Sequence, residues 1–190
     1  MEMRSREARA NGMKPRRYQL WAPLPDISAN LKNAVLIAED AAFFQHDGLD
    51  YNEIREAIKI NAEKLEFARG ASTITQQLAK NIYLSPSRNP IRKLKEILLT
   101  FSLERNLTKK RIFEIYLNVI EWGDGVYGAN AAAHTYYGKS CSDLSVQEAA
   151  ALAAVIINPR RYSPIQPNRR IRNRIAMIEA RMKKYRYYKN

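Results

Sequence analysis

Ser145-Val-Gln-Glu-Ala-Ala-Ala-Leu-Ala-Ala-Val-Ile-Ile157 is the stretch on which the fold turns. Ser145 and Glu148 have the spacing of a capping box, in which the serine oxygen accepts from the backbone N–H three residues on and the glutamate reaches back to the serine N–H. The run from Ala149 to Ile157 is uncharged and apolar on every side, so it has no wet face. Its nine residues are too few to span a bilayer, which takes about 20. It therefore reads as a buried helix of the core, opened at Ser145 and stopped by Asn158-Pro159.

Helical signals continue on both sides. Upstream, Gly123, Gly125 and Gly128 make a glycine-rich turn before an alanine-rich helix around 129–136. Thr108 caps a helix carrying Ile112, Ile115, Tyr116 and Val119. Asn89-Pro90 starts another, with asparagine at N-cap and proline at N1, where its missing N–H costs nothing. That helix sets Ile91, Leu94, Leu98 and Phe101 on one face, with Ile97 beside them. A helix from Ser72 to about Leu84 stops at Ser85-Pro86-Ser87. One from about Tyr51 to Leu65 turns Ile54, Ile58 and Leu65 inward. Ser28 caps a helix with Leu31, Ala34, Val35 and Ala38 at i, i+3, i+4, i+7, expected to run on to Gln45–Gly48. A basic helix with few apolar anchors covers 168–186. Strand patterns are scarce and no repeat is present. The fold class is mostly α.

A chain of 190 residues suits one domain, and 46% hydrophobic content excludes a disordered one. A single cysteine, Cys141, excludes a disulfide framework and a cysteine zinc cage. The polar, basic N-terminus has no signal-peptide core, so the expectation is cytoplasmic work or a missing targeting segment. The net charge of +13 first points to nucleic acid. Its distribution points elsewhere. Residues 1–18 and 159–190 together hold +14, and the centre holds −1. Within that centre 26–66 is −5, 69–111 is +8 and 112–158 is −4. An acidic stretch followed by a cationic one suits chemistry on a phosphate-bearing substrate.

Glu39 and Asp40 stand at the end of a helix, where the macrodipole disfavours carboxylates. The apolar Ala41-Ala42-Phe43-Phe44 follows, and a carboxylate among apolar groups has a raised pKa, as a general base near neutrality needs. Two ordinary solvated acids are the plain alternative. Gly70-Ala-Ser-Thr-Ile-Thr-Gln-Gln77 offers hydroxyls, amides and free N–H groups at a helix start, which is either a phosphate cradle or only a capped terminus. Lys80 and Arg88 downstream can hold a diphosphate and neutralise it as it leaves; each alone reads as a surface cation. Glu96 follows Arg92 at i+4 and Lys93 at i+3, so a surface ion pair explains it, yet it is a carboxylate in the most basic stretch. Asn118 reads as a helix C-cap. His46 and His134 are too few and too far apart to argue for a metal site.

Taken in order, Glu39-Asp-Ala-Ala-Phe-Phe-Gln-His-Asp-Gly48, Gly70 to Gln77, Arg92-Lys-Leu-Lys-Glu96 and Lys110-Arg-Ile-Phe-Glu-Ile-Tyr-Leu-Asn118 resemble the motifs of the peptidoglycan glycosyltransferases, glycosyltransferase family 51. Ala149 to Pro159 with Arg160-Arg161-Tyr-Ser-Pro164 is a fifth match, and the likeness runs from about Trp21 to Pro164. The lead-in Trp21 to Ser28 is similar to that of the monofunctional members. The resemblance implies a lysozyme-like fold and polymerisation of lipid II into β-1,4 glycan with inversion. It implies Glu39 as the base on the acceptor 4-hydroxyl, Lys80 and Arg88 as the diphosphate clamp, and Ser72, Thr73, Gln76 and Gln77 as the donor-site wall. Glu96 becomes a second essential carboxylate that positions the acceptor, contacts a metal or supports the cations. Asp40, Arg92, Lys93 and Asn118 are secondary candidates. No cofactor is required with certainty, and a divalent cation (Mg or Mn) between phosphates is allowed.

The implied organisation is a basic segment 1–20, a catalytic domain 21–165 with a small mobile jaw at 49–69, and a basic tail 166–190. Asp50, Glu53, Glu56, Glu63 and Glu66 make that jaw segment unsuited to deep membrane insertion. The implied partners are lipid II, the growing glycan, an anionic membrane surface and other cell-wall synthesis proteins, with no nucleic acid. The implied place is the outer, periplasmic face of the bacterial inner membrane, as a peripheral or anchor-trimmed chain. Two other readings stand beside this one: a lysozyme-like hydrolase using Glu39 and Glu96, and a basic polyanion-binding module.

Overall fold

A computed structural model of the chain describes residues 17–64, 72–84, 90–185 and 188. Eight α-helices are described: α1 Ala29–Glu39, α2 Tyr51–Lys64, α3 Ile74–Tyr83, α4 Pro90–Asn106, α5 Lys109–Val119, α6 Ala129–Tyr137, α7 Val146–Val155 and α8 Arg169–Lys184. The strands are short: β1 Tyr18–Gln19, β2 Glu121–Gly123 and β3 Val126–Tyr127. They form one sheet in the order β1-β3-β2, with β1 parallel and β2 antiparallel to β3.

The helix read from Ser145 to Ile157 is the centre of the core. Ser145 and Glu148 close their capping box, and every residue of α7 from Ala149 to Val155 is buried. α1 packs on one side of it and α8 on another, while α3 packs on α4 and α5. The alanines of α7 permit this, because small side chains let neighbouring helix backbones approach. Burial of Ile171 and Ile178 seats α8. The chain end is tied down as well. Asn33 Oδ1 accepts from the Tyr188 N–H at 2.8 Å, and the ammonium of buried Lys32 lies 4.4 Å from the Tyr188 ring centroid.

Two expectations need correction. The first helix stops at Glu39, short of Gln45–Gly48. Asp40 takes an extended φ of −164°, its carboxylate accepts from Ile74 N–H at 3.0 Å, and Phe43 then turns into the core in a 3-10 turn. A longer helix would lose both anchors. Ile58 is not inward but 65% exposed, and Leu65 lies outside the described residues. The aligned face of α4 is also open to solvent, since α4 packs through Glu96, Thr100 and Leu103. Its apolar stripe is the outer side.

Gly48 joins the loop after α1 to this assembly. Its φ is +91°, and a Cβ there would fall 2.7 Å from Thr100 Cγ2 on α4, so glycine is required both for conformation and for space.

Candidate active site

Glu39 is the last residue of α1, where the chain must turn and the carboxylate projects into a gap between α1, α3 and α8. Each of its oxygens has a donor. Gln77 Nε2, from α3, donates to Oε2 at 2.9 Å. Arg174 Nη2, from α8, donates to Oε1 at 2.9 Å and to the Ala38 carbonyl at 3.0 Å. Burial pushes the Glu39 pKa above the ordinary 4.5, while the Gln77 hydrogen bond and the charges of Arg174 and Lys80 pull it back. The result is a carboxylate that is ionisable but reluctant, which is the state a proton acceptor needs. It stands at the wall of a cavity of about 410 Å³, lined also by Asp50, Ser72, Thr73, Met177 and Arg181.

The other sequence-derived candidates divide by what their side chains already do. Thr73 caps α3, its hydroxyl donates to Gly48 O at 2.6 Å, and its N–H donates to Gln76 Oε1 at 3.0 Å. Thr73 and Gln76 therefore spend their polar groups on a capping box, whereas exposed Ser72 stays at the cavity and half-buried Gln77 at the carboxylate. Lys80 is exposed, one turn beyond Gln76 and Gln77, with no ion pair among the described residues. Arg88 lies outside the described residues. Glu96 is buried and pairs with Lys93, not with Glu39. Arg92 keeps its Nε buried without a hydrogen-bond partner. Asn118 is not the expected C-cap, which is Ile120, but lies inside α5 and holds the lead-in to the fold: Ala22 N–H donates to its Oδ1 and its Nδ2 donates to Ala22 O, both at 2.8 Å.

Asp40, His46 and Asp50 come together in a way their spacing did not announce. Their bonding is that of a structural knot. Gly48 N–H donates to His46 Nδ1 at 3.2 Å, which leaves Nε2 carrying the proton it donates to Asp40 at 3.0 Å. Asp50 Oδ1 accepts from Asn52 and Glu53 N–H at the start of α2. With the histidine nitrogens both engaged and Asp40 bonded to Ile74, this donor set fits a divalent cation poorly.

Sequence reading missed Arg174 and the buried Tyr116, whose hydroxyl donates to Gln77 Oε1 at 3.0 Å. Arg174 was hidden in a basic run, although Arg174, Met177 and Arg181 share one helix face at i, i+3, i+7 and all three line the cavity. Cys141 is buried and burial pushes its thiol up to about 11, so it is inert at neutral pH.

A family profile described as "Transglycosylase" matches residues 7–183. The chain is 51% identical over 163 residues to the "Biosynthetic peptidoglycan transglycosylase" of Methylobacillus flagellatus, covering 86% of this chain and 71% of that one. It is 44% identical over 182 residues to the protein of the same name from Dechloromonas aromatica, covering 96% and 79%. A third such protein, from Laribacter hongkongensis, is 46% identical over 181 residues, covering 95% and 79%. With nearly the whole chain matched, the protein belongs to the transglycosylase family, the peptidoglycan glycosyltransferases of cell-wall synthesis.

Proposed function

We propose that this chain polymerises lipid II into β-1,4-linked glycan by inverting transfer, with release of undecaprenyl diphosphate. The observation that carries the reading is Glu39, half-buried at a cavity wall with one donor on each oxygen. Glu39 accepts the proton of the acceptor 4-hydroxyl. The oxygen's electron pair forms the new bond to the anomeric carbon of the growing chain, and the bond to the diphosphate oxygen breaks, its electron pair leaving with the lipid diphosphate. Lys80 and Arg88 neutralise that departing charge. Glu96, committed to Lys93, serves that cationic stretch rather than acting as a second carboxylate beside the sugar, as a hydrolase would need. Incubating the chain with labelled lipid II tests this: long, lysozyme-sensitive polymer is expected, and cleavage of finished glycan without polymer would overturn it.

Lys80→Ala is expected to weaken binding of a diphosphate lipid about tenfold or more, the worth of a charge-assisted contact, and binding of a neutral sugar much less. Calorimetry on both ligands decides, and equal losses count against the clamp.

We also infer work at the outer face of the bacterial cytoplasmic membrane, through contact with an anionic lipid surface. No helix among the described residues is long and apolar enough to cross a membrane. Support for surface contact comes from α4, where Ile91, Leu94 and Leu98 are each about 60% exposed beside exposed Lys95 and Arg105. The basic tails add attraction worth about 1 kcal/mol per residue near the surface. Leu94→Glu with Leu98→Glu should cut binding to phosphatidylglycerol vesicles by about tenfold or more while leaving the fold intact, since both residues are exposed. Vesicle sedimentation unchanged from the parent chain would remove α4 from the contact.

A further inference from the structure

Tyr116 is among the most deeply buried side chains of the protein, and its hydroxyl has one hydrogen-bond partner among the described residues, Gln77 Oε1 at 3.0 Å. The other end of the same amide reaches Glu39 Oε2 at 2.9 Å. A side-chain amide is nearly symmetric in shape and opposite in polarity at its two ends. We propose that Tyr116 is a positioning residue for the transfer reaction: its hydroxyl holds the Gln77 amide with the NH₂ group, and not the carbonyl, toward Glu39. The proposal rests on Glu39 being the base.

The polarity follows from what each group can do. An ionised carboxylate only accepts, so Glu39 calls for the NH₂ end of Gln77. The carbonyl end is then turned inward, where it needs a donor, and the Tyr116 hydroxyl supplies it. Take the hydroxyl away and that buried carbonyl is left unmatched, an expensive state. The amide can escape by turning over, but this sets a carbonyl against the carboxylate, which is tolerable only when Glu39 carries a proton to donate. Losing the hydroxyl therefore favours protonated Glu39 and removes working base.

A hydroxyl is also the one partner that serves both states. When Glu39 has taken the acceptor proton, a turned amide can accept from the carboxylic acid and donate to the tyrosine oxygen. The tyrosine keeps its own proton throughout. Burial, reinforced by the negative charges of Glu39 and Asp40, pushes its pKa well above the ordinary 10, so it has no acid–base role of its own. The charged groups facing Glu39 are Arg174 from α8, Lys80 from α3 and its neighbour Asp40, with Asp50, Glu53 and Arg181 around the cavity. None of them contacts the far end of the amide.

The test is the pH dependence of lipid II polymerisation by the full chain. Tyr116→Phe is expected to keep KM within about twofold and to move the acid limb of kcat up by about half to one pH unit, so that the rate falls about three- to tenfold low on that limb and recovers at higher pH. Gln77→Met should move the limb the same way, and adding Tyr116→Phe to it should add nothing, because both remove one connection. Placing 3-fluorotyrosine at 116 keeps the fold, strengthens the donor and should move the limb down. An unmoved limb in the fluorotyrosine protein and in Tyr116→Phe overturns the proposal, as does full additivity of the two substitutions. Loss of polymerisation in Glu39→Gln alongside an unmoved Tyr116 limb would sink the positioning role alone. Polymerisation surviving Glu39→Gln would sink the base itself.

Discussion

Glu39→Gln is expected to abolish polymerisation while the fold and the binding of a diphosphate lipid persist. Glutamine keeps the length and the cavity wall but cannot take a proton, so the loss is that of a general base, about 10²–10⁴ in rate. The fold should tolerate the change. Burial holds the Glu39 pKa above 4.5, so between 4.5 and that raised value the native state keeps a proton that the unfolded chain has lost. The carboxylate therefore contributes stability that is fully present at low pH and lost as pH rises through the folded pKa. Glutamine lacks this slope, and the melting temperature of the variant should improve relative to the parent as pH rises through that window. Activity of the parent runs the other way, falling as pH drops and Glu39 protonates. Product gels and melting curves across pH check both halves. Near-normal polymer yield from the variant would end the assignment of the base.

What could be read from the chain alone was local chemistry. Ser145 and Glu148 announced their capping box because its two partners are three residues apart, and Ser28 and Thr108 announced their helices in the same way. Thr73 and Gln76 have that spacing too, and their hydroxyl and amide are spent on capping. The stripe Ile91, Leu94, Leu98 and Phe101 shows the limit of periodicity. It proves an amphipathic helix but not which neighbour covers the stripe, and the packing of α4 through Glu96 and Leu103 left it outside. Arg174 shows the limit of composition. It meets Glu39 across 135 positions of sequence, a contact created by the stacking of α8 on α7 and α1, and in the linear chain it is one arginine in a basic run.

Arg174→Met should reduce polymerisation about 10–100-fold low on the acid limb and return much of it in alkaline buffer. Methionine keeps most of the apolar stem against α1, so what disappears is the guanidinium that bridges Glu39 Oε1 and the Ala38 carbonyl. Removing one member of a buried ion pair leaves the other charge poorly compensated, at about 3–5 kcal/mol when both are fully buried. Here the side chains are 23% and 12% exposed, so the cost should be smaller, about 1–3 kcal/mol. The carboxylate relieves it by protonating, which carries its already raised pKa higher. The sign is set by which state holds the proton. Below the ordinary carboxylate range Glu39 is neutral with or without the arginine, and the variant should be about as stable as the parent. The deficit opens as pH rises and the parent's Glu39 ionises against Arg174, and it levels off once the variant's carboxylate has ionised too. Arg174→Lys restores a charge but not a fork that reaches two acceptors, and should recover part of the rate with an intermediate acid limb. Rate profiles of the three proteins decide the matter: an acid limb of Arg174→Met that coincides with the parent's would mean that α8 only closes the cavity and does not tune the base.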